Sequence, residues 1–191
     1  EANRRSQYAV SLIRHDMRHF LTNISAHIDN GEYEKAKEYI NEIIKASDKT
    51  AMHKYCENPT VNMILSSYES TVKNNGIDFR YTLAIPKELP VSDIDLTSIL
   101  SNAVENACHA VLPLEKEQRY MSLDMRMRDG KLLICLKNTF AEKPEIIDGV
   151  PRSREPGHGF GTQSILYVTE KLHGNCQFAV EEDLFIIRII L

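Results

Sequence analysis

The residues best suited to chemistry are Arg14-His15-Asp16-Met17-Arg18-His19. They lie within a helical pattern in which Ile13, Met17, Phe20, Ile24 and Ile28 recur at the spacing of one helix face. At ~100° per residue His15 falls on the opposite side of that helix, with an acid directly after it. An imidazole held away from the packed stripe is placed to react with a group brought to it. An ordinary solvated histidine, one of 7 in the chain, would occupy the same position. His15 and His19 also stand one turn apart, the i, i+4 spacing of paired metal ligands. The residue after His15 is Asp16, however, where a zinc-protease pattern has Glu, and no third ligand stands out downstream.

Two further stretches bear on what His15 would meet. The spacing predicts a helix over 95–112 with Ile99, Leu100, Ala103, Val104, Ala107 and Val111 as its apolar face. Asn102, Asn106 and His109 share one edge beside that face. Asparagine is a mediocre helix former, so two of them one turn apart in a helix interior call for a reason. A carboxamide oxygen is a hard ligand suited to a phosphate-bound Mg²⁺, although a polar flank would look the same. Further on, Gly157-His158-Gly159-Phe160-Gly161 leads into a helix predicted over 162–173. Glycines before a helix N-terminus let backbone N–H groups approach phosphate oxygens, and the dipole favours the anion. The spacing is neither that of the Walker A loop nor that of the dinucleotide fingerprint. Read together, the three stretches point to an attack by His15 on the γ-phosphate of ATP.

The elements that must position these residues fall into two groups. A first helix over 4–29 ends at Asp29-Asn30-Gly31, where turn chemistry offers Gly31 for the left-handed position. Tyr33, Ala36, Ile40, Ile43, Ser47 and Ala51 then predict a second amphipathic helix to about Cys56. Residues 1–57 therefore read as an antiparallel helical hairpin. Two helices bury little by themselves, so pairing with a second copy as a four-helix bundle is expected. Asn58-Pro59 breaks the pattern and is the expected domain boundary and hinge, with Pro59 suited to open the next helix.

Residues 58–191 mix helices and strands, which makes the whole chain α+β. A helix over 61–73 ends at Asn74-Asn75-Gly76, and a strand covers 77–85. Strands over 121–127 and 132–136 flank Asp129-Gly130, a hairpin signal. A long structureless loop is expected from Asn138-Thr139 to Gly157, with Arg152 and Arg154 placed to reach phosphates or simply solvated. The chain closes with a hairpin of 175–180 and 185–191 about Glu181-Glu182-Asp183.

Composition narrows the function classes. The 23 basic and 27 acidic residues are intermixed, so neither a nucleic-acid stripe nor a polybasic lipid-binding run is present. The four cysteines are far apart and form no C-x-x-C pair, which reads as reduced packing residues in a cytosolic protein. No apolar run approaches the ~20 residues that cross a bilayer, and no signal peptide is seen. The first residue is Glu1, which fits a soluble part of something longer.

An exposed His-Asp on the first helix of a hairpin, an Asn-x-x-x-Asn helix and a Gly-x-Gly-x-Gly turn after a long loop together resemble a sensor histidine kinase. The hairpin is similar to its dimerisation and phosphotransfer unit, and the remainder to the GHKL-type ATP-binding domain shared with DNA gyrase and MutL. Arg14-His15-Asp16 and Asn138-Thr139-Phe140 resemble in particular the Agr type, quorum-sensing peptide receptors of Gram-positive bacteria. The resemblance implies His15 as phospho-acceptor and Asp16 as the acid that orients and activates it. It implies Asn102 as the start of the N box, Asn106 as the Mg²⁺ holder and His109 as a polar neighbour of the phosphates. Gly157, Gly159 and Gly161 become the glycine-rich turn under the lid. Asn138 stands near the place where most of the family binds the adenine amino group with the Asp of a D-x-G motif. His19 departs from the Asn or Thr that many relatives carry four residues after the acceptor, a position associated with dephosphorylating the partner. The implied cofactors are ATP and Mg²⁺. The implied partners are a second copy of the chain and the receiver domain of a response regulator. The implied location is the cytoplasm, with any membrane attachment through a sensor segment outside this chain. An ATP-independent phosphotransferase and a non-catalytic dimeric scaffold of the same architecture remain the alternatives.

Overall fold

The computed structural model describes residues 21–45, 54–152 and 160–191, and the chain divides into two compact units, Glu1–Lys49 and Thr50–Leu191. His15, Asp16 and His19 lie outside the described residues.

In the first unit, residues 21–29 (α1) and Tyr33–Lys45 (α2) are helical. The turn between them forms because the Glu32 N–H donates to the His27 carbonyl at 2.8 Å and the Gly31 N–H to that of Ile28 at 2.9 Å. Gly31, at φ +71°, takes the left-handed position that its sequence context predicts. Asn23 donates to the Tyr39 hydroxyl at 3.2 Å, and Ala36 is buried. Glu32 accepts from Lys35 and contacts His27, and these partners hold its carboxyl below the ordinary range.

The second unit begins before the expected boundary. The sequence pattern carries a helix to about Cys56, but residues 54–58 are not helical. Asn62 accounts for this: its oxygen accepts the backbone N–H groups of Tyr55 and Cys56, both at 2.9 Å, while its Nδ2 donates to the Cys56 carbonyl at 2.8 Å. Cys56 joins the hydrophobic core of this unit. Asn58 is equally fixed. Its oxygen caps helix α3 (Pro59–Asn74) through the Val61 N–H at 2.9 Å, and its Nδ2 donates to the Lys87 carbonyl at 2.8 Å. The Asn58-Pro59 step is thus a pinned helix start within the second unit. Pro59 opens the helix, as anticipated.

Strand β1 (Asp78–Ala84) follows, then α4 (Asp93–Val111), a 3₁₀ turn (Lys116–Gln118), and strands β2 (Tyr120–Arg128) and β3 (Lys131–Thr139). A small ribbon of β4 (Glu145–Ile147) and β5 (Val150–Arg152) precedes α5 (Phe160–Lys171), and β6 (Asn175–Glu181) and β7 (Leu184–Ile190) complete the unit. The main sheet has the order β1-β2-β3-β7-β6. All its pairs are antiparallel except β1 with β2, which are parallel and need the crossover that α4 supplies. Alternation then decides which residues meet the helices. Leu123, Leu136 and Ile187 lie opposite one another across three strands, as do Met125, Ile134 and Ile189. These six are all buried and form the core with Ile99, Leu100, Val104 and Ile165 of the helix layer. The other face carries Asp124, Arg126, Cys135, Lys137 and Arg188, with Arg126 paired to Asp124 and Arg188 to Glu181. All four cysteines are free, and burial pushes the thiols of Cys108 and Cys176 up to about 11.

Three expectations require correction. Strand β3 runs on to Thr139, so Asn138 lies inside the sheet, opposite Met121 and Phe185. The segment after it is not structureless. Asp148 (φ 51°) and Gly149 (φ 79°) repeat the two positive dihedrals of the Asp129-Gly130 turn (φ 51° and 75°) and close the β4–β5 hairpin. Pro144 and Pro151 disguise it in the sequence, although a two-stranded ribbon tolerates a proline whose missing N–H faces outward. Finally, His173 rather than Gly174 is the left-handed residue after α5, at φ 54°. Gly174 is required for space, because a Cβ there would run into the Ile190 carbonyl oxygen and Leu191.

This last distinction is testable by urea unfolding. Gly130→Ala meets open space and only the left-handed backbone penalty, so it is expected to cost about 1 kcal/mol. Gly174→Ala must move a strand backbone and is expected to cost about 3 kcal/mol.

Candidate functional site

Helix α4 starts at Ser92, whose hydroxyl accepts the Asp95 N–H at 3.2 Å and donates to the Asp95 carboxylate at 2.8 Å. Asp93 accepts the Thr60 hydroxyl at 2.6 Å, which ties the starts of α3 and α4 together. Both acids in this first turn also suit the positive end of the helix dipole. The six predicted apolar residues of α4 are all buried. That burial sets the rotation of the helix and brings Asn102 and Asn106 to the side where α5 packs.

α5 runs against α4 in the opposite direction, and contacts along its length fix the pairing. At one end the Lys171 ammonium donates to Asp95 at 2.7 Å. This bond first, and that from Ser92 second, hold the Asp95 carboxyl below its ordinary value near 3.8. In the middle the hydroxyls of Ser98 and Ser164 lie 3.2 Å apart, while Ile165 and Val168 enter the core. At the other end Gly161 sits directly on the two asparagines. A Cβ on Gly161 would lie 2.9 Å from Asn106 Nδ2, 3.0 Å from Asn106 Oδ1 and 3.2 Å from Asn102 Oδ1. No side chain fits between these groups without displacing them.

The asparagines differ in how they are satisfied. Asn102 donates from Nδ2 to the Ser98 carbonyl at 2.6 Å and reaches Ser164 Oγ at 3.5 Å. Asn106 Nδ2 is buried and has no hydrogen-bond partner among the described residues. An orphaned amide costs roughly 1–3 kcal/mol, so this one is a polar group held in a rigid element with its bonding capacity unused.

The other expected residues are distributed as follows. Gly161 lies within the first turn of α5, not in the turn before it, which corrects the sequence reading. It is needed for close approach to the asparagines. Gly157 and Gly159 lie outside the described residues, as does Arg154. His109 is exposed in the last turn of α4, and Arg152 is exposed in β5. Asn138 is almost fully buried, with its Nδ2 donating to the Thr139 carbonyl at 2.8 Å. Sequence reasoning missed Ser98, Ser164, Asp95 and Lys171. Ser98 stands one turn before Asn102 and was open to notice, but the partners on α5 lie more than sixty residues away in sequence.

The family model described as the GHKL domain matches residues 91–191. The chain belongs to the GHKL domain family. The match begins just before the α4 cap and runs to the last residue, so it covers α4, the glycine contact and the whole of the sheet except β1. The chain is similar in structure to the catalytic domain of histidine kinase ThkA, at 13% identity and a TM-score of 0.57, over 69% of this chain and 90% of that one. It is also similar to the histidine kinase AdeS of Acinetobacter baumannii, at 11% identity and a TM-score of 0.56, over 93% of this chain and 96% of that one. Full-length ShkA in complex with AMPPNP is a third match, at 12% identity and a TM-score of 0.54, over 75% of this chain and 31% of that one. No curated protein matches the sequence. The second unit therefore has the GHKL ATPase-like fold of histidine kinase catalytic domains. The two carboxamides beside the start of α5 offer hard oxygens and N–H groups, and these fit a phosphate with a hard cation.

The α4–α5 clamp has a pH signature. A carboxyl whose folded pKa is lowered contributes stability that is full above its ordinary value and is lost as pH falls through the folded one. Lys171→Met is thus expected to lower the melting temperature at pH 7. The difference from wild type should be full above the ordinary carboxyl value near 3.8 and should shrink as pH falls below it, toward the lower pH at which folded Asp95 takes up its proton. Thermal melts from pH 7 to pH 3 measure this.

Proposed function

We propose that this GHKL protein is a histidine kinase of a two-component system, related to the Agr type. It transfers the γ-phosphoryl group of ATP to His15 and from there to an aspartate of a response-regulator receiver domain. The observation that carries this reading is the seat of Gly161 on Asn102 and Asn106, with the Asn106 Nδ2 buried and without a hydrogen-bond partner among the described residues. A glycine pressed against two helix asparagines lets the backbone approach them where a side chain would clash. The AMPPNP complex of the similarly folded ShkA adds support for a nucleotide ligand.

In this reading Asn106 would hold Mg²⁺, and Asn102, His109 and the glycines Gly157, Gly159 and Gly161 would surround the phosphates. Mg²⁺ bound there would offset the negative charge of the phosphates during transfer. Asn138 would serve the adenine side. A neutral imidazole nitrogen of His15 forms the new N–P bond as the bond from phosphorus to the bridging oxygen breaks, and ADP leaves with that electron pair. An unperturbed imidazole, with a pKa of about 6.5, is largely neutral near pH 7. Asp16 accepts a hydrogen bond from the other ring nitrogen, which selects the tautomer and offsets the charge that develops. The first unit would be the dimerisation and phosphotransfer hairpin, two copies forming a four-helix bundle. The chain would work in the cytoplasm as part of a sensor anchored elsewhere.

Incubation with γ-labelled ATP and Mg²⁺ tests the first transfer, to His15. Label on the protein that is lost in acid, survives alkali and is absent in His15→Ala is expected for a phosphohistidine. Asn106→Ala and Gly161→Ala are each expected to weaken ATP binding by at least ~10-fold by calorimetry. Protein that binds no ATP and takes no label would return the chain to the scaffold class.

A further inference from the structure

We infer that Ser164 is a positioning residue of the nucleotide site, acting with Ser98 to fix which end of the Asn102 amide faces Gly161. The inference rests on the nucleotide reading above and adds a residue to it.

A carboxamide has two ends of nearly equal shape and opposite hydrogen-bonding sense, so a site that needs the oxygen must prevent the flip. In this protein the backbone does half of that. Asn102 lies 2.6 Å from the Ser98 carbonyl, which can only accept, so the end of the amide beside it is Nδ2. Flipping would set two acceptors against each other. The second N–H of the same Nδ2 points toward Ser164 Oγ at 3.5 Å, and that hydroxyl is itself 3.2 Å from Ser98 Oγ. With both N–H groups directed away from the site, Oδ1 is left on the Gly161 side, where a Cβ would meet it at 3.2 Å.

Ser164 is distinguished by the element it belongs to. Ser98 and Asn102 share α4 and keep their spacing whatever α5 does. Ser164 belongs to α5, three residues after Gly161 and so on the same helix face one turn on. Its hydroxyl therefore connects the seating of α5 to the orientation of Asn102. From one helix, Gly161 lies against the two asparagines and Ser164 meets the Asn102 amide. A Ser164 hydroxyl withdrawn from α4 would leave Asn102 held only by its own helix.

The test is a thermodynamic cycle read by calorimetry with MgATP. Ser164→Ala is expected to weaken ATP affinity about five-fold, the worth of one modest hydrogen bond, with an unchanged melting temperature. In an Asn102→Ala background the same substitution should have no further effect, because the group it positions is gone. Without nucleotide, the Asn102 side-chain amide resonances should shift in Ser164→Ala. Ser164→Thr, which keeps the hydroxyl, should restore affinity to within about two-fold of wild type. An unchanged affinity in Ser164→Ala would overturn the inference, and so would an equal loss with and without Asn102, which would mean that Ser164 only supports α5. Wild-type protein that binds no ATP would instead overturn the nucleotide reading itself, and the positioning role with it.

Discussion

The approach of α5 to α4 at Gly161 is the contact on which the rest of the site depends. A helix pair normally keeps its axes about 8–10 Å apart because side chains stand between the backbones. At Gly161 that spacer is missing, and the helix start comes down onto two carboxamides. The approach is held from a distance. Lys171 grips Asp95 at the far end, and Ile165 and Val168 anchor the middle in the core. Polar groups at the near end can then remain incompletely bonded, because the apolar contacts carry the association. An unpartnered amide at Asn106 would be a liability in a loop, but on α4, buried along its whole apolar face, it is held in place.

The sheet sets the stage on which this happens. Because β1 and β2 are parallel, the chain must cross from one end of the sheet to the other between them, and α4 makes that crossing. Its rotation is fixed by residues buried against β2 and β3, so the asparagine edge has one place to go. The β4–β5 ribbon and the extension of β3 to Thr139 shorten the irregular part of the segment between the sheet and α5. Asn138 is drawn into the same alternation as Leu136 and Ile134, so it faces the helix side of the sheet although it is polar.

Much of this was readable in the residues. The buried face of α4, the helix start at Pro59, the turn at Gly31 and the Asp129-Gly130 hairpin each depend on a few adjacent residues or on a short period. Where reading went astray, a distant partner had intervened. The helix expected to reach Cys56 stops earlier because Asn62, in another element, captures the backbone of Tyr55 and Cys56. The second Asp-Gly turn carried the same local signal as the first and was hidden by neighbouring prolines. Gly174 looked like a helix terminator, yet its need for a missing side chain comes from a strand that ends at the chain terminus.

By itself, the sequence determined the chemical candidates: the asparagine pair one turn apart, the run of glycines and the His-Asp step, together with the α+β class. These follow from residue type and short spacing, which a chain carries without folding. Only the tertiary structure decided what those residues are for in space. It showed that Gly161 is a contact surface for Asn102 and Asn106 rather than part of a turn, and that Asp95, Ser98, Ser164 and Lys171 keep the two helices in register. The physical reason is that close approach, orphaned hydrogen bonds and the direction of an amide are properties of pairs of elements. Such properties exist once burial of the apolar faces has brought the elements together.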